Sequence, residues 1–142
     1  MRTIKTKNEE ETAIFAQKIA KNIKNNQILC LNGNLGAGKT VLSREIIRFL
    51  TKNSNLEVPS PTFTLLQTYE TANNTIFHFD LYRLKNPEDI YELGWEDAIH
   101  HITIIEWPEK AQSLIPRPHT QINIETIENE PNARQITIME VT

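Results

Sequence analysis

The chain has 142 residues, 39% hydrophobic and 23% charged, which fits one globular domain and excludes a disordered or fibrous chain. Its 15 Lys and Arg are scattered among 18 Asp and Glu for a formal charge of −3, so a basic face that grips nucleic acid directly is not expected. A single cysteine excludes an internal disulfide and argues against a cysteine-based zinc site. No apolar run approaches the roughly 20 residues that span a membrane, and a cytoplasmic protein without membrane contacts is expected.

Residues 2–6 predict a short edge strand, and Thr6 with Glu9 matches a capping box that would start a helix near residue 7. Phe15, Ile19, Ala20 and Ile23 recur at helical spacing, so one face of residues 8–24 should pack on a core. Residues 27–31, with Cys30 as buried packing, read as a strand that runs into Asn32 and Gly33. Leu42, Ile46, Phe49 and Leu50 mark one side of a helix over 39–51. The prolines of Val58-Pro59-Ser60-Pro61 exclude helix there.

Two strand-like runs follow, 63–70 and 75–82, with a hairpin turn at Thr71-Ala72-Asn73-Asn74. Asn86 is placed to cap a short helix, with Pro87 at its first position and Gly94 as its stop. Residues 102–107 predict a β-branched strand, and Pro108 opens another short helix that ends before Pro116. Strands at 120–127 and 134–141 flank a turn at Asn129-Glu130-Pro131-Asn132. The pattern predicts a single α/β domain over 1–142, a layered sandwich. Its central sheet should be mixed, because two connections are too short for parallel crossovers.

Gly33-Asn34-Leu35-Gly36-Ala37-Gly38-Lys39-Thr40 fits G-x-x-x-x-G-K-[ST] at every fixed position. The glycines let the backbone turn tightly so that successive N–H groups face a phosphate, and the following helix adds the positive end of its dipole. In this pattern Lys39 supplies a charge to the β- and γ-phosphates and Thr40 a hydroxyl to Mg²⁺, and Val41 follows directly in the helix. An apolar strand before the loop and an amphipathic helix after it are the context the motif requires, and with it the expected α/β fold becomes a P-loop NTPase-like three-layer sandwich with a central mixed β-sheet.

A P-loop also needs an acid at the end of a neighbouring strand. Glu106 ends Ile102-Thr103-Ile104-Ile105 and is the better Walker-B-like candidate; Asp80 ends Ile76-Phe77-His78-Phe79. Either could instead be a solvated strand end. Thr62, in the stiff Ser60-Pro61-Thr62-Phe63 segment, could offer a hydroxyl to the metal or γ-phosphate, and Trp107 is placed to touch nucleotide or simply to pack. His78 reads as structural, Arg83 as a surface pairing residue with stabilisation of γ-phosphate charge as its alternative, and the adjacent His100 and His101 could not chelate together from a strand.

An Asn-Lys-x-Asp guanine signature is missing. The stretch between residues 51 and 75 leaves little room for the lid and acceptor site of a small-molecule kinase, which weakens that alternative. A nucleotide-gated binding module with incidental hydrolysis is the third reading.

Taken in order, Gly33 to Thr40, Ser60-Pro61-Thr62-Phe63, His78-Phe79-Asp80-Leu81-Tyr82-Arg83-Leu84, Glu92-Leu93-Gly94 and Ile105-Glu106-Trp107-Pro108 resemble the motifs of the TsaE (YjeE) family, over nearly the whole chain. That resemblance implies a bacterial ATPase of tRNA threonylcarbamoyladenosine biosynthesis. Such a protein acts on the TsaD–TsaB assembly, which installs the group on adenosine 37, and meets tRNA only through it. By position it implies Lys39 as the phosphate lysine, Thr40 and Glu106 as metal ligands, Asp80 and Thr62 as catalytic or metal-shell residues, and Trp107 near the nucleotide. Many members of that family carry Asp or Glu where this chain has Asn34, which removes any acidic role at that position.

Overall fold

The computed structural model describes residues Met1–Thr142. Strand β1 (Arg2–Thr6) leads to helix α1 (Glu9–Lys21), then β2 (Ile28–Asn32), α2 (Lys39–Thr51), β3 (Leu66–Glu70) and β4 (Thr75–Asp80). After the short helix α3 (Trp95–Ala98) come β5 (Ile102–Glu106), β6 (His119–Ile127) and β7 (Glu130–Val141). All seven strands form one mixed sheet in the order β1-β7-β6-β2-β5-β4-β3. The central strands β6, β2, β5 and β4 run parallel, while β1, β7 and β3 join antiparallel.

Residues 28–31 of β2 are continuously apolar, and all of β5 is buried, Thr103 and Glu106 included, because both faces of those strands are covered. On one face Leu29, Leu31, Ile76, Ile102, Ile104 and Ile122 pack with Ala16, Leu42 and Ile46 of α1 and α2. On the other, Ile28, Cys30, Phe77, Phe79 and Ile105 pack with Leu84, Ile90, Trp95 and Ala98. Three layers result, the third built from 3-10 turns and the single-turn α3. Burial pushes the Cys30 thiol up to about 12, consistent with a packing role.

Several boundaries differ from the sequence expectation. Asn8, not Thr6, caps α1: its side chain accepts from the Glu11 N–H at 2.9 Å, and the Glu11 carboxylate accepts from the Lys7 N–H. Thr6 belongs to β1 and shares a buried hydroxyl contact of 2.7 Å with Thr12. Strand β3 starts only at Leu66, because Leu65 takes a positive φ of 67°. Asn86 makes no side-chain cap; residues 87–93 are 3-10, and Gly94 at φ 78° ends them before α3 begins.

The helix expected after Pro108 is a pair of 3-10 turns. β7 starts at Glu130 because Asn129 closes a tight turn at φ 65°. Residues 131–133 then bulge out between the pairs Ile127↔Glu130 and Thr126↔Arg134, where Pro131 costs no ladder hydrogen bond.

Candidate nucleotide-binding site

The loop Gly33–Gly38 joins the C-terminal end of β2 to the N-terminus of α2, so its backbone and the helix dipole address one point at the top of the sheet. Gly33 is required by close approach: a Cβ there would stand 2.6 Å from the Ile124 carbonyl oxygen and 2.8 Å from Ile124 Cγ2. Gly38 precedes the helix at φ 112°, a conformation L side chains rarely adopt. Asn34, Leu35 and Gly36 form the exposed tip, whereas Ala37 is buried beneath it. Gly33→Ala is therefore expected to destabilise the fold by about 1–3 kcal/mol through overpacking and to weaken nucleotide binding with it, as thermal unfolding and ADP titration would register.

Lys39 is 5% exposed at the first position of α2. Its Nζ donates to the Gly33 carbonyl and lies 3.5 Å from the centre of the Trp107 ring. Burial holds the Lys39 pKa below the ordinary lysine value of 10.5, against the opposing pull of the Glu106, Glu109 and Asp80 carboxylates. Trp107 reaches this position through a left-handed backbone, φ 59° and ψ 51°, an unfavourable conformation for a bulky residue. Its ring also meets that of Tyr82 at 4.9 Å.

Asp80 and Glu106 are register partners at the ends of the adjacent parallel strands β4 and β5. Side chains alternate along a strand, so His78, Asp80 and Glu106 share the face that carries α2. Glu106 is 2% exposed, and both of its side-chain contacts fall on one oxygen: Oε2 accepts from His78 Nε2 at 2.7 Å and from Ser43 Oγ at 3.4 Å. Ser43 Oγ also lies within reach of the Lys39 and Thr40 carbonyls, which sets Glu106 against the first turn of α2, where Thr40 stands exposed and Val41 half-buried.

An ionised carboxylate only accepts, so the His78 hydrogen belongs on Nε2; Nδ1 is buried without a partner. Asp80 differs. Its Oδ2 accepts from Ser60 Oγ at 2.7 Å and Thr62 Oγ1 at 3.2 Å, and its Oδ1 from the Tyr82 N–H at 3.0 Å. Both of its oxygens therefore organise the protein, and Thr62 is tied to the site through Asp80.

The structure thus gathers Lys39, Thr40, Glu106, Trp107, Asp80 and Thr62 at one end of the sheet. Of the weaker candidates, His101 stacks on Phe77 at 5.4 Å, and Arg83 lies over the exposed Phe63 ring at 4.3 Å rather than pairing with an acid. Four contributors had not been assigned to the site from sequence: Ser43, Ser60, His78 as the Glu106 partner, and Arg134. His78 carried a signal, since strand period places it on the same face as Asp80 and, once β4 pairs β5, beside Glu106. Arg134 carried none, as it reaches the loop from 97 positions away.

Fold and loop together define a P-loop protein: a parallel core strand, a glycine-rich turn and a helix, with a carboxylate ending the neighbouring strand. A family model described as "Threonylcarbamoyl adenosine biosynthesis protein TsaE" matches residues 6–136, and the chain belongs to that family. Relatives named tRNA threonylcarbamoyladenosine biosynthesis protein TsaE include one from Rickettsia felis, 51% identical over 85% of this chain and 71% of its own length. The Rickettsia bellii protein is 48% identical over 91% of this chain and 90% of its own, and that of Haemophilus influenzae 41% over 75% and 67%. Among solved structures, Bacillus subtilis YdiB superposes with a TM-score of 0.80 at 26% identity, covering 99% of this chain and 86% of that one.

Proposed function

We propose that this protein binds Mg-ATP in the 33–40 loop and hydrolyses it in the cytoplasm as a subunit of the machinery that makes N6-threonylcarbamoyladenosine at position 37 of tRNAs. In this reading it acts on a TsaD–TsaB assembly to support turnover, meets tRNA only through that assembly, and does not transfer the group itself. Family membership supports the pathway. The observation that carries the chemistry is the convergence of buried Lys39 and buried Glu106 on the first turn of α2, beside the loop.

The donor set suits magnesium. Thr40 and Glu106 offer oxygens, and the chain contains no cluster of three or more His, Cys, Asp or Glu that could cage a metal alone. Mg²⁺ is commonly held by one or two protein oxygens together with phosphates and water, which fits. Bound there, it would neutralise charge on the β- and γ-phosphates. The protein's own groups do the rest: N–H groups of the 33–38 loop and Lys39 hold the phosphates, while the Ala37 N–H donates to the Asn34 carbonyl at 3.0 Å and closes the loop on itself. Glu106, with Oε2 engaged by His78 and Ser43, keeps Oε1 for the metal shell or an attacking water. Asp80 braces Ser60 and Thr62 at the edge of the site, and Trp107 shields Lys39 from bulk water.

Hydrolysis by the purified chain at fixed Mg²⁺, with and without its cognate TsaD–TsaB pair, tests this directly. The expected result is weak turnover alone and clear stimulation by the pair, since a completing group from a partner can be worth ~10³–10⁵ in phosphoryl transfer. Turnover indifferent to the pair would remove the partner assignment, and a phosphorylated small-molecule product would replace the reading with a kinase.

A further inference from the structure

We propose that Arg134 is a positioning residue of the phosphate cradle, acting from β7 to fix the peptide between Ala37 and Gly38. The proposal rests on the reading of residues 33–40 as that cradle. Arg134 Nε donates to the Ala37 carbonyl at 2.6 Å and Nη2 to the Gly36 carbonyl at 3.4 Å. Nη1 donates to the Pro131 and Ala133 carbonyls at 2.8 and 2.7 Å, so one guanidinium ties the loop to the β7 bulge. Arg134 itself stays in the ladder, paired with Thr126 on one side and Thr6 on the other, and stands directly beside the bulge at residues 131–133 whose carbonyls it holds.

In a trans peptide the C=O and N–H point in opposite directions. Drawing the Ala37 carbonyl outward to Arg134 therefore turns the Gly38 N–H to the other side of the strand of loop. Glycine at positions 36 and 38 permits the cradle but does not select it, because glycine has no strong backbone preference of its own. A contact from outside residues 36–38 can choose the orientation, and Arg134 is the side chain that hydrogen-bonds the Gly36 and Ala37 carbonyls. A guanidinium has five N–H donors; Nε uses its one, Nη1 both, and Nη2 one of two on backbone carbonyls, which commits Arg134 to holding the protein rather than the ligand.

Arg134→Met keeps the stem and removes the donors, and Arg134→Lys keeps charge but can satisfy few of these carbonyls. Titration with ADP and with inorganic pyrophosphate reads the cradle. Selective ¹⁵N labelling of the four glycines reads the backbone: Gly36 and Gly38 report the loop, and Gly94 the remote fold. In Arg134→Met both affinities are expected to fall about 10- to 100-fold, as for lost hydrogen bonds from a charged group. The Gly36 and Gly38 signals should move or broaden while Gly94 stays in place. Arg134→Lys should fall between wild type and Met, and it decides the matter if the Met variant does not fold.

Unchanged affinity overturns the proposal. So does a loss confined to ADP with pyrophosphate binding intact, which would make Arg134 a contact for base or ribose, or a shift of Gly94 along with the loop glycines in both variants. Wild-type protein that binds neither ligand sinks the cradle and this proposal together, whereas wild-type binding that survives both substitutions sinks this proposal alone.

Discussion

Lys39→Ala is expected to cut Mg-ATP affinity by on the order of 10²-fold or more and to abolish measurable hydrolysis, because it removes a full charge from two phosphates in a partly dehydrated site. The same change is expected to cost the ligand-free fold little. Lys39 rests against Trp107 with its pKa lowered chiefly by burial, so the native protein bears a penalty for its charge. The pH sign follows. Between the lowered native value and the ordinary 10.5, the unfolded chain holds the Lys39 proton more tightly than the native one, so stability gains with rising pH across that window. Below the native value the penalty is present in full.

Nucleotide affinity runs the other way and weakens as the ammonium is lost. Comparing denaturation of wild type and Lys39→Met across the alkaline range isolates the first effect, and ADP titration over the same range the second. Wild-type hydrolysis in Lys39→Ala would end the assignment of the loop.

Glu106→Gln is expected to spare nucleotide binding and lose on the order of 10²-fold or more in turnover, if the carboxylate orients metal or water as charge develops. The substitution preserves size, and a glutamine carbonyl can still accept from His78 Nε2 and Ser43 Oγ, so the fold should hold. Only the negative charge next to the first turn of α2 is lost. Single-turnover hydrolysis beside ADP titration separates the two effects; an unchanged rate would take Glu106 out of the site. Asp80 is not equivalent to it, because the Ser60 and Thr62 hydroxyls and the Tyr82 N–H already occupy both its oxygens. Of the two acids, only Glu106 has an oxygen, Oε1, that accepts from no protein donor, which is the specific reason to expect the larger kinetic effect there.

Local chemistry made much of this molecule legible in the sequence. The loop, the strand before it, the helix after it and the carboxylates that end β4 and β5 are each written within a few consecutive residues, by glycine placement, apolar runs and their stops. The family resemblance likewise rests on short motifs. Boundaries failed where a competing local interaction won: Asn8 outbid Thr6 as the cap, and Asn129 allowed a tighter turn than the proline suggested.

Tertiary structure alone decided which partners each acid holds. Strand periodicity assigns His78, Asp80 and Glu106 to faces, but only the pairing of β4 with β5 puts His78 on Glu106, and only the path of residues 60–62 puts two hydroxyls on Asp80. Arg134 on the loop and Trp107 beneath Lys39 were settled in the same way. Such contacts join segments far apart in the chain, and their geometry depends on strand order and on backbone turns that no local periodicity encodes.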